Sequence, residues 1–163
     1  MNEILNNLET IIMQKKAEEA QLEKELAWCN KVKEIGNSDI ITLTRKLTAG
    51  VSKFDHYNNL INEVYVKATS IGVKYFIVAA NWLPIFCFAT DFEMTRDIPI
   101  QGSYVAGKYK GLPIIVSPCL DSFEMICGAD TNMPDYNVES IDISKFALIK
   151  LDNWYINEKI VKG

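Results

Sequence analysis

Val73-Lys74-Tyr75-Phe76-Ile77-Val78-Ala79, set between Gly72 and Asn81, divides the chain into two kinds of sequence. The run is short, rich in β-branched and aromatic residues, and apolar at almost every position. A strand that is apolar on both faces has to be covered on both, so the stretch predicts a buried central strand. Before it, apolar residues recur at helical spacing; after it come short apolar runs punctuated by glycine, proline and asparagine. Helices first and strands second predict an α+β fold, with helices packed on a small, mainly antiparallel sheet.

Upstream, Phe54, Tyr57, Leu60, Ile61, Val64, Tyr65 and Ala68 follow helical spacing. Ser52-x-x-Asp55 imitates a capping box at the start of this helix, and Gly72 stands where it should stop. Gly36-Asn37-Ser38 reads as a hinge, with Ser38 able to cap a short helix from Asp39 to about Leu47. Residues 3–35 read as one long helix ending at Gly36. Its apolar residues Leu5, Leu8, Ile12, Leu22, Leu26 and Cys29 alternate in steps of three and four, with Lys15 and Glu19 in the same register between them. That is a narrow seam with a polar break, so something outside the helix has to cover it. Packing on its own domain, coiled-coil pairing with another chain and a partly helical arm all remain open. The chain accordingly divides into an N-terminal amphipathic helix, 1–36, and a domain, 37–163.

Downstream, Asn81 reads as an N-cap and Pro84 as a first-turn residue of a short helix, Trp82 to about Ala89. Residues 90–103 read as a loop carrying Asp91, Glu93, Arg96, Asp97 and Pro99. Tyr104 to Tyr109, a Lys110-Gly111 turn and Leu112 to Val116 predict a β-hairpin ended by Ser117-Pro118. Phe123 to Cys127, closed by Gly128, and Phe146 to Leu151 predict two further strands.

Chemistry has few tools in this chain. With one histidine, His56, among 163 residues, a histidine pair or a multi-histidine metal site is excluded. The expected place of His56 is solvent-facing or capping. None of the four cysteines, Cys29, Cys87, Cys119 and Cys127, forms a C-x-x-C pair, so zinc has no local scaffold. Cys29, Cys87 and Cys127 lie among apolar neighbours and predict buried, reduced thiols and a cytosolic folding compartment. Gly102 to Gly107 lacks the spacing and the following helix of a phosphate loop. Asp91, Glu93 and Asp97 lack a calcium-loop pattern and predict a solvated loop. A net charge of −4 argues against a broad nucleic-acid face. Lys108 and Lys110 alternate along the hairpin, where contact with phosphates and protection of a sheet edge are equally open. Tyr75 to Ala89, the longest apolar stretch, is too short to cross a bilayer, which takes roughly 20 residues. The expectation is no cofactor, no metal, no membrane and no sequence-specific nucleic acid.

One composite pattern is more specific than these residues singly. A helix over Phe54–Ile71 leads into Ile77-Val78-Ala79-Ala80-Asn81 and a short helix. Then come Gly107-Lys108-Tyr109-Lys110-Gly111-Leu112-Pro113-Ile114-Ile115-Val116-Ser117-Pro118 and Phe123-Glu124-Met125-Ile126-Cys127-Gly128. This order resembles the C-terminal part of tailed-phage major capsid proteins of the Hong Kong 97 type. The resemblance implies a capsid-like domain and a structural virion protein. Such a protein acts by self-assembly into an icosahedral shell, without catalysis, and sits in the virion after assembly in the host cytoplasm. Its partners would be copies of itself, with scaffold or other virion proteins. The family's flexible N-terminal arm and long β-hairpin loop have no counterpart here; residues 1–50 read as helical instead. The assembly candidates are Leu5, Leu8, Ile12, Leu22, Leu26, Lys108 and Lys110. The alternatives are an oligomeric interaction module joined through the N-terminal helix and, third, a small α/β enzyme with a pocket near Asn81 and residues 90–103.

Overall fold

A computed structural model describes residues 2–36, 40–43, 52–95 and 102–151. Helices α1 (Asn2–Ile35), α2 (Lys53–Thr69) and α3 (Leu83–Phe86) accompany seven strands: β1 (Ile41–Leu43), β2 (Tyr75–Val78), β3 (Phe92–Met94), β4 (Tyr104–Tyr109), β5 (Leu112–Val116), β6 (Glu124–Gly128) and β7 (Phe146–Leu151). The fold is α+β, as helical patterns followed by strand patterns predict.

The sheet runs β1-β7-β6-β2-β5-β4-β3. β2 is its middle strand, parallel to β5 and antiparallel to β6, and all four of its residues are buried. The pairs β1–β7 and β2–β5 are parallel, and the other four pairs are antiparallel. Tyr75 and Ile77 share one sheet face with Ile126, Leu148 and Phe146, while Phe76 and Val78 share the other with Cys127 and Ile114. Trp28 of α1 meets Phe146 edge-on at 5.5 Å, which puts α1 on the first face. Phe86 of α3 lies 6.5 Å from Phe76 and 6.1 Å from Tyr109, which puts α3 on the second. α2 packs beside it, with Tyr65 5.7 Å from Tyr109.

Local chemistry explains most boundaries. Ser52 caps α2 by accepting the Asp55 N–H at 3.1 Å. Gly72 takes φ +73 just after the helix. Lys110 and Gly111 both have positive φ, 50 and 81, as a two-residue hairpin turn whose twist matches its strands requires.

Several expectations need correcting. Ile41–Leu43 is a strand parallel to β7, not part of a helix; its β-branched residues find an open strand to pair with. Ile40 has no regular structure, and Asp39 and residues 44–47 of the expected helix lie outside the described residues. The helix expected over 82–89 is a 3-10 turn, Ala80–Trp82, followed by α3. Asn81 is inside that turn and does not cap it: its Oδ1 accepts the Phe123 N–H at 2.9 Å, tying β2 to the start of β6. Phe123 stands outside β6 with φ 59, whereas Gly128 is within it, because the Tyr75 ring lies where a Cβ would project. Phe92–Met94 is an edge strand, not loop, and Arg96, Asp97 and Pro99 lie outside the described residues.

Candidate assembly surface

α1 consists of two physically different parts. Its last turns are core: Trp28, Cys29 and Val32 are fully buried, and Trp28 also meets Tyr136 at 5.3 Å. Lys33 pins this end to the sheet, 3.2 Å from the Glu124 carboxylate and 3.7 Å from that of Asp121. Glu25 is buried too, its carboxylate accepting from Ser103 Oγ at 2.9 Å and from Gln21 Nε2 at 3.4 Å. A groove of about 290 Å³ lies beside it, lined by Ala17, Glu18, Gln21, Leu22, Glu25, Gly102 and Ser103.

From Asn2 to Ala20, every residue of α1 is exposed. Leu5 is 56% exposed, Leu8 51% and Ile12 51%. Leu22 is half-buried against the core, and Leu26, only two residues from buried Trp28, stays 44% exposed. The seam therefore winds out of the domain rather than into it. A seven-residue apolar repeat drifts by about 20° per heptad around a straight helix, so toward the N-terminus the seam turns away from the side that carries the buried Glu25, Trp28, Cys29 and Val32. Ile4 and Ile11, each one position before a seam residue, widen the uncovered stripe. The sequence reading missed both, although a third apolar column beside Leu5 and Ile12 was there to be counted.

The structure does not bring Lys108 and Lys110 to this stripe. Lys110 lies against α2, across the sheet from α1, with its Nζ 4.8 Å from the centre of the Tyr65 ring and 3.6 Å from the Asp91 carboxylate. Lys108 is exposed on β4 opposite Glu93 of β3. β4 is an interior strand, so Lys108 guards no sheet edge. Asp91 and Glu93 thus each face a lysine rather than forming a free acidic loop.

His56 is buried, not solvent-facing or capping, because it shares the inward face of α2 with Leu60 and Val64 at helical spacing. It meets the Tyr57 ring at 5.7 Å. Cys29, Cys119 and Cys127 are the buried thiols; Cys87, expected inside, is exposed beyond the end of α3. Desolvation, then the neighbouring Cys119, pushes the Cys29 thiol up to about 12, so it is protonated and a poor nucleophile near neutrality. Desolvation likewise raises Cys119 and Cys127. No group of three or more His, Cys, Asp or Glu among the described residues is placed to hold a metal ion. No helix among them is long and apolar enough to cross a membrane. No protein-family model matches the chain, and neither does any curated protein.

Proposed function

We propose that this chain is a structural subunit of a tailed-phage capsid shell of the Hong Kong 97 type, acting by self-assembly without a cofactor. It would reside in the virion after assembly in the host cytoplasm, with copies of itself, and scaffold or other virion proteins, as partners. The observation that carries the reading is the uncovered apolar stripe of α1. Ile4, Leu5, Leu8, Ile11 and Ile12 project from a helix that extends about five turns beyond the parts of it packed on the domain. Leaving such a stripe in water is unfavourable, and contact with further protein removes the cost. The segment behind the capsid resemblance also supports it, since β6, β2, β5 and β4 form one continuous block of sheet.

The same stripe supports a second reading, a small oligomeric interaction module joined through α1. Particle size separates the two. Electron microscopy and sedimentation of the purified chain, alone and with its scaffold or virion partners, should show shell-sized assemblies that grow with concentration. A discrete dimer or trimer under every condition favours the module. A monomer at high concentration with all partners present overturns both.

A further inference from the structure

We infer that α1 binds α1 of a second copy in antiparallel register, about a two-fold axis at Ala17. The spacing of the seam and its order of apolar and charged residues read the same from either end, with the sign of the charge exchanged. Placing Ala17 opposite Ala17 sets Lys15 against Glu19 of the second copy, Ile12 against its Leu22, and Leu8 against its Leu26. The two-fold repeats each contact, so two opposite-charge layers sit at the centre with two apolar layers on either side. A parallel pair would instead set Lys15 against Lys15 and Glu19 against Glu19. Like charges facing each other in a seam are unfavourable, so the charge pattern selects the antiparallel arrangement. A foreign helix would not require this palindrome; a second copy does.

The structure leaves the required residues accessible. Leu8, Ile12, Lys15, Glu19 and Leu26 are exposed, and Leu22 is half-exposed. The pairing ends at Leu5, whose mate Cys29 is taken up by its own domain. The domain covers the Glu25 side of α1, the same side that carries Ile4 and Ile11 nearer the N-terminus. In an antiparallel pair the corresponding sides of both helices fall together. Ile11 of the second copy therefore comes to lie at the groove beside Glu25 and Gly102, which accounts for a stripe wider than the seam alone. Lys16 and Glu18 meet their own two-fold mates, but at the solvent rim, where water and salt screen them.

This contact deepens the self-assembly reading and rests on it, but its test is separate. Sedimentation of the full chain should be compared for wild type, Lys15→Glu, Glu19→Lys and the double exchange Lys15→Glu/Glu19→Lys. Both positions are exposed, so folding of each variant is checked by an unchanged circular dichroism melt at low concentration. Either single change makes both central layers like-charged and should raise the dissociation constant about tenfold or more. The double exchange restores opposite charges and should return the wild-type value. Single changes without effect, or a double exchange that does not recover, overturn the antiparallel pair. Shell-sized particles indifferent to these changes leave the shell reading standing and refute this contact. A dimer that obeys the charge pattern but never grows supports the contact and refutes the shell.

Discussion

Ile77 lies where the layers meet. It is fully buried in the middle strand, paired with Ile115 of β5 on one side and Ile126 of β6 on the other. Ile77→Ala removes methyl groups from a site with apolar neighbours across both strands and should cost about 2–5 kcal/mol. Urea denaturation measures it; a loss under about 1 kcal/mol would mean that the sheet can collapse around the gap. Two residues away, Tyr75 packs its ring against Gly128 and donates its hydroxyl to Asp130 at 2.7 Å. Burial, then the Asp130 carboxylate, pushes that phenol well above the ordinary tyrosine range. The place of Ile77 was legible because its nearest neighbours on both sides, Tyr75, Phe76, Val78 and Ala79, are apolar or aromatic, so no choice of face had to be made. His56 and Cys87 were not legible in the same way. Each depends on the phase of one helix turn against the sheet, and residue type pointed the other way for both. Cys119 was missed for a related reason: it follows Ser117-Pro118, a loop signal, yet that loop folds in under α1, with Cys119 beside Cys29.

At the scale of elements, α1 has two parts, one exposed and one buried, that a single apolar seam conflated. Removing residues 1–20 should leave cooperative unfolding intact and abolish self-association, because no residue from Asn2 to Ala20 is buried. Removing residues 1–35 also removes Trp28, Cys29 and Val32, which are fully buried against the sheet. Trp28→Ala alone should cost about 3–5 kcal/mol, since its ring meets Tyr136 and Phe146 edge-on. Chemical denaturation of the two truncations separates the parts: a broadened, non-cooperative transition after loss of residues 1–20 would make the whole helix part of the core. The other elements show what length does to legibility. The hairpin of β4 and β5 was readable to the residue, because Lys110-Gly111 is a turn signal and the flanking runs are five and six residues long. β1 and β3 have three residues each, too short to show any period. Only the open flanks of β7 and β4 make strands of them. The parallel pairing of β2 with β5 was also out of reach, since nothing in either strand records which neighbour it will take.

For the whole molecule, the opposing terms in the proposed association are apolar burial and like charge. Each copy carries a net charge of −4, and the repulsion accumulates as copies gather. The exposed stripe from Ile4 to Ile12 would contribute to that association an attraction that salt does not screen. The Lys15–Glu19 layers of the proposed paired seam would add charge attraction, but only two such layers form per pair. Repulsion between whole subunits acts across water over longer distances, where the screening length falls from about 30 Å at 0.01 M salt to about 3 Å at 1 M. The screened term is therefore mostly the unfavourable one. Raising sodium chloride from about 0.02 to 0.5 M should lower the protein concentration at which assembly begins, as followed by light scattering. Acidification from pH 8 toward the sequence pI of about 5.1 should act in the same direction, by reducing the net charge. Assemblies that dissolve as salt rises would place the driving force in ion pairs instead. The apolar stripe of α1 would then be a by-product of helix length rather than the contact that joins the copies.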